Sequence, residues 1–102
     1  MFIAMNRFRI AAGYEGGFEK MWRERDSYLD EVAGFRSFHL LKGPRDEQGG
    51  YTLYSSHTVW ESREAFDAWR GSEQFVKAHA QARAPEGTYL GPPVFEGFES
   101  VL

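Results

Sequence analysis

The sequence contains no cysteine. That single absence excludes disulfides, thiolate metal sites and thiol nucleophiles together, and it fits a reducing compartment. Positive charge is also scarce. The formal net charge is −3 and no basic run exceeds two residues, so the electrostatic footprint of a nucleic-acid binder is missing. No segment approaches the ~18 apolar residues of a membrane span, and no basic stretch followed by an apolar one opens the chain. The expectation is a soluble, cytoplasmic protein with neither nucleic acid nor membrane as partner. Phosphate-cradling glycine loops, a dinucleotide fingerprint, a Ser-His-Asp arrangement and clustered metal ligands are all missing, so no built-in nucleotide, flavin or protein-held metal cluster is expected.

What is plentiful is aromatic. Aromatic residues make up 17% of the chain and include nine Phe and three Trp, a surplus that suggests a large apolar pocket, a subunit interface, or both. At 102 residues the chain has room for one domain, spanning 1–102, with a modest core.

The opening run "FIAMNRFRI" alternates with a period of two. Phe2, Ala4, Asn6, Phe8 and Ile10 fall on one side of a strand, and Ile3, Met5, Arg7 and Arg9 on the other. "GYEGG" breaks it, and Phe18, Met21, Trp22, Arg25, Leu29 and Val32 then recur at helical spacing, with Gly34 as a stop signal. A second strand is expected over 35–42, ended by the turn-rich "GPRDEQGG", and a hairpin partner over 51–60. Ser62 can cap a helix running through Trp69, Gly71 interrupts it, and Ser72 can cap another over 73–83. After the loop "APEGTYLGPP", residues 94–102 form a last strand. The order β α β β α α β describes an α+β, ferredoxin-like antiparallel sheet with helices on one face. The opposite face is then open, and aromatic strand residues on it would favour pairing two sheets in a homodimer.

A few residues fit this scheme poorly. Asn6 places a carboxamide on the apolar face of its strand, where it needs either a neighbouring loop or a ligand as hydrogen-bond partner. His79 shares a helix side with Phe75 and Val76; it reads as a core histidine or as the neutral imidazole that a porphyrin iron requires. Trp69 reads as packing or as part of the same site. His39 and His57 lie in strands as rival ligands ranked below His79.

Taken together, an Asn in the first strand, a Trp ending an "AFDAW" helix and a His ten residues later in "KAHA" resemble the haem-degrading monooxygenases of the IsdG type, within the antibiotic biosynthesis monooxygenase superfamily. The resemblance runs across nearly the whole chain and includes "NRF", "AGF", "TVWESREAFDAW" and "FVKAHAQAR". Other members share the "W-x-S-x-x-A-F" segment without binding haem, so the trio is the discriminating feature. It implies a dimeric α+β barrel, with haem as both substrate and cofactor, opened by O₂ with electrons from an external donor or reductase. It further implies His79 as the iron ligand, Asn6 as a donor to oxygen at the iron, and Trp69 as the residue that distorts the porphyrin. Trp22 and Arg25 carry over to positions beside the haem, where Arg25 either pairs with a propionate or snorkels outward with its stem packed. The alternatives are a cofactor-independent monooxygenase acting on a phenolic or quinol-like aromatic, and a haem-binding protein without turnover.

Overall fold

The computed structural model describes residues 1–25, 27–81 and 84–102. Strands β1 (Phe2–Ala11), β2 (Phe35–Asp46), β3 (Tyr51–Trp60) and β4 (Val94–Glu99) form one sheet in the order β2-β3-β1-β4, every neighbouring pair antiparallel. Helices α1 (Glu15–Glu24), α2 (Arg63–Arg70) and α3 (Glu73–Gln81) pack on one face of it. This is the expected ferredoxin-like arrangement.

The alternation read in β1 sets which side faces the helices. Phe2, Ala4 and Ile10 are buried, while Arg7 and Arg9 are exposed. Register with β3 carries the pattern across the sheet: Phe2 faces Trp60, Ala4 faces Thr58, Asn6 faces Ser56 and Phe8 faces Tyr54. Aromatic side chains of the strands therefore gather under the helices. The open face differs from expectation for the same reason, since its apolar residues are chiefly aliphatic: Ile3, Met5, Leu53 and Val59, with Phe98 aligned beside Ile3.

The first helix is shorter than its apolar spacing predicts. It stops at Glu24, Arg25 is already extended (φ −77°, ψ 134°), Tyr28 is left-handed (φ 59°), and Leu29–Glu31 form a single 3₁₀ turn. The break has a packing consequence. Phe18 joins Ile10 and Tyr54 in one buried cluster, whereas Leu29 joins Phe2, Ala4, Trp60, Phe66 and Trp69 in another. A straight helix rising ~1.5 Å per residue would hold both sets in one stripe. The kinked chain divides them between two clusters.

Gly34 is not a helix stop but a turn into β2. Its φ is +84°, and a Cβ there would lie 2.5 Å from the Ala65 Cβ of α2. Strand β2 continues past the expected end at Lys42 to Asp46, with an irregularity between Lys42 and Arg45; as an edge strand it tolerates Pro44. The hairpin is closed by Asp46, which accepts from the Gly49 and Gly50 amides at 2.8 and 2.9 Å. Strand β4 ends at Glu99 rather than at residue 102. Both serine caps form: the Ser62 hydroxyl accepts from the Ala65 amide, and the Ser72 hydroxyl from the Phe75 amide, each at 3.2 Å. The end of the third helix expected at 82–83 lies outside the described residues.

Candidate active site

Between the two aromatic clusters the core is not filled. A cavity of about 360 Å³ opens there, within the roughly 300–1,000 Å³ range of small-molecule sites. Its floor is the sheet, with Ala4, Asn6 and Phe8 from β1 and Ser56 and Thr58 from β3. One wall is the end of α1 and the residues after it, with Trp22 and Arg25; another is the α2–α3 corner, with Trp69, Phe75 and His79. All five residues singled out in the sequence therefore meet at one cavity, though they come from β1, α1 and its exit, α2 and α3.

His79 is held by its own helix. Its Nδ1 lies 2.8 Å from the Phe75 carbonyl one turn back. A carbonyl only accepts, so Nδ1 carries the proton and Nε2 keeps a free lone pair. The imidazole also packs on the Phe75 ring at a centroid distance of 3.9 Å. Partial burial pushes its pKa below the ordinary histidine range; the Phe75 hydrogen bond opposes this, and the Arg25 charge pushes it down further. The shift favours the neutral ring.

Trp69 is wedged between Trp60 and Phe75, at centroid distances of 5.5 and 4.9 Å. Its indole Nε1 is buried without a hydrogen-bond partner among the described residues. Trp22 stacks on Phe38 at 5.4 Å and carries the Arg25 guanidinium over its own ring, 4.4 Å from the centroid. The Trp22 Nε1 and the Arg25 Nε are likewise buried and unpartnered, and no ion pair involves Arg25 among the described residues. The Arg25 side chain is packed at Nε, with its guanidinium beside the Trp22 ring. Burial lowers its pKa, opposed by Tyr89, without removing its charge. The Asn6 carboxamide, too, makes no hydrogen bond among the described residues, so the loop partner considered for it is not found.

The rival histidines lie elsewhere. His39 and His57 pair directly across β2 and β3 on the open face of the sheet, with ring centroids 6.4 Å apart, and neither reaches the cavity. Sequence reasoning also missed lining residues. Tyr89 sits in a loop without periodicity, pinned to β1 by a bridge to Ile10 and by a 3.0 Å bond from the Leu90 amide to the Arg9 carbonyl. Ser56 had a legible signal: it is a small hydroxyl on the inward row of β3, the same kind of anomaly as Asn6 in β1.

The model of the family described as antibiotic biosynthesis monooxygenase matches residues 1–81. The chain belongs to the antibiotic biosynthesis monooxygenase family. Among relatives of this monooxygenase-family chain is a heme oxygenase (mycobilin-producing) of Mycobacterium tuberculosis, 34% identical over 101 residues, covering 98% of this chain and 89% of the relative. A heme oxygenase (staphylobilin-producing) of Staphylococcus haemolyticus is 30% identical over 81 residues, covering 78% and 73%. The monooxygenase fold seen here also superimposes on the heme-degrader MhuD of Mycobacterium tuberculosis, solved with two hemes in its active site. That match has a TM-score of 0.73 and 30% identity, and covers 100% of this chain and 97% of the other.

Proposed function

We propose that this protein is a haem-degrading monooxygenase, binding haem in the cavity between α1, the α2–α3 corner and the sheet, and opening the porphyrin with O₂ and externally supplied electrons. The observation that carries the reading is the state of His79: Nδ1 is tied to the Phe75 carbonyl, so a neutral Nε2 is free at a cavity whose floor holds an unpartnered carboxamide. Metal-bound histidines are oriented in this way, by a hydrogen bond on the nitrogen that does not ligate.

The lining fits the same ligand. Trp22, Phe38, Trp69 and Phe75 supply aromatic walls and Arg25 a cation beside them, which suits a flat, largely apolar macrocycle bearing carboxylates. Bound haem supplies the iron that activates O₂ and the ring that is opened. His79 Nε2 would hold the iron, and Asn6 would donate its amide hydrogen to oxygen there, in a low-dielectric site where such a donor is worth more than in water. Arg25 would pair with a propionate, and Trp69, fixed between two rings, would pack against the macrocycle.

The protein acts as a homodimer in this reading, because the open sheet face exposes Phe98 and Val94 (50% and 59%) beside Ile3, Met5 and Leu53 and a second copy buries them. The test is optical titration with haemin. A saturable Soret band at one or a few equivalents supports the reading; no Soret band overturns it in favour of an organic aromatic substrate.

A further inference from the structure

The inward row of β3 is unusually rich in hydroxyls, and nearly all are paired inside the protein. Thr52 donates to Glu15 at 3.0 Å, and Tyr54 to Glu19 at 2.5 Å. Thr58 donates to the Ala4 carbonyl at 3.3 Å and accepts from the Trp60 indole at 2.9 Å. Ser56 breaks the series. It is only 7% exposed, lines the cavity, and its hydroxyl makes no hydrogen bond among the described residues. Directly opposite in the β1–β3 register stands Asn6, whose carboxamide is unpartnered as well.

Two polar side chains without partners are therefore neighbours on the floor of the same cavity. Residues directly opposite in antiparallel strands have Cβ atoms about 4.5–5.5 Å apart, close enough for a hydroxyl and a carboxamide to converge on one small atom between and above them. Neither side chain has an atom among the sealed, unpartnered ones, so both polar groups open to the cavity itself, and it is what the cavity holds that completes their bonding.

We propose that Ser56 is a ligand-binding residue of this site, acting with Asn6 to hold one small hydrogen-bond-accepting ligand, such as water, hydroxide or fluoride, at the cavity floor when haem is bound. The inference rests on the haem reading and deepens it, because it makes the floor a two-point donor rather than a single amide. Two donors fix a ligand's direction as well as its presence.

Fluoride is the probe, since it accepts hydrogen bonds and reports them when added to the ferric haem-loaded protein. The experiment compares wild type, Ser56→Ala, Ser56→Thr and Asn6→Ala by haemin affinity, fluoride affinity and apoprotein melting temperature. Ser56→Ala is expected to weaken fluoride binding about three- to tenfold, the worth of one hydrogen bond, with haemin affinity unchanged. Ser56→Thr keeps the hydroxyl and is expected to retain most of the fluoride affinity. The apo Ser56→Ala protein is expected to melt at or above the wild-type temperature, because the hydroxyl removed has no protein partner.

Fluoride affinity in Ser56→Ala equal to wild type, while Asn6→Ala is weakened, overturns the Ser56 role and leaves the haem reading standing. A lowered apo melting temperature for Ser56→Ala also overturns it, by revealing a structural role. Failure of the wild type to bind haemin overturns both.

Discussion

At the scale of single residues, His79 and Asn6 make opposite demands on experiment. His79→Ala removes the proposed iron ligand but only one exposed side-chain bond, so the fold is expected to survive while the imidazole-ligated ferric spectrum disappears. Resonance Raman showing the same axial signature in the variant contradicts the assignment. Asn6→Ala is expected to leave haem affinity nearly unchanged and to slow turnover sharply, because the interaction proposed for it strengthens only with the activated ligand. A carboxamide serving the core would instead cost about 1–3 kcal/mol when removed. Here the amide has no protein partner among the described residues, so the melting temperature is expected to hold.

The pH dependence of haem binding follows from the same ring. The His79 pKa in the folded apoprotein is pushed below its ordinary value by burial, and a proton on Nε2 competes with iron. Affinity is therefore expected to stay level from pH 8 down to about 6.5, the ordinary histidine value, and to fall only below it. A decline beginning near pH 7.5, measured by haemin titration at fixed ionic strength, contradicts a depressed pKa.

At the scale of elements, the strands were largely legible and the first helix was not. Period-two alternation marks β1 because one face is buried and the other wet, and the Ser62 and Ser72 caps announce α2 and α3 chemically. The break after Glu24 leaves no such mark. Arg25, Leu29 and Val32 continue the helical spacing, and only the division of the core into two clusters shows why the chain turns there. That break also sets Arg25 beside Trp22 at the cavity, so the site's geometry was hidden with it. Tyr89 was hidden for another reason, since its place depends on a loop pinned to the edge of β1. Gly34 offers a test at this scale. With φ at +84° and the Ala65 Cβ 2.5 Å from a virtual Cβ, Gly34→Ala is expected to destabilise by roughly 1–3 kcal/mol, read from urea unfolding. An unchanged midpoint contradicts the close approach of α2.

At the scale of the whole molecule, the sheet has two faces with different tasks. One carries the aromatic clusters and the cavity; the other presents an aliphatic surface without helices to cover it. The aromatic surplus in the composition pointed to a pocket or an interface, and the register assigns most of the strand aromatics to the pocket side. A homodimer is expected in sedimentation at micromolar concentration, and Phe98→Asp is expected to shift it toward monomer by burying a charge in the joined faces. A monomeric wild type contradicts the paired sheets.

The proposed function requires the cavity to turn haem over rather than only to hold it. The most direct measurement is the Soret band of the haem-loaded protein in air after ascorbate is added, with a ferrous chelator present to trap released iron. The band is expected to decay, with chelated iron rising alongside it toward one equivalent per haem. A Soret band that persists with no iron released contradicts it.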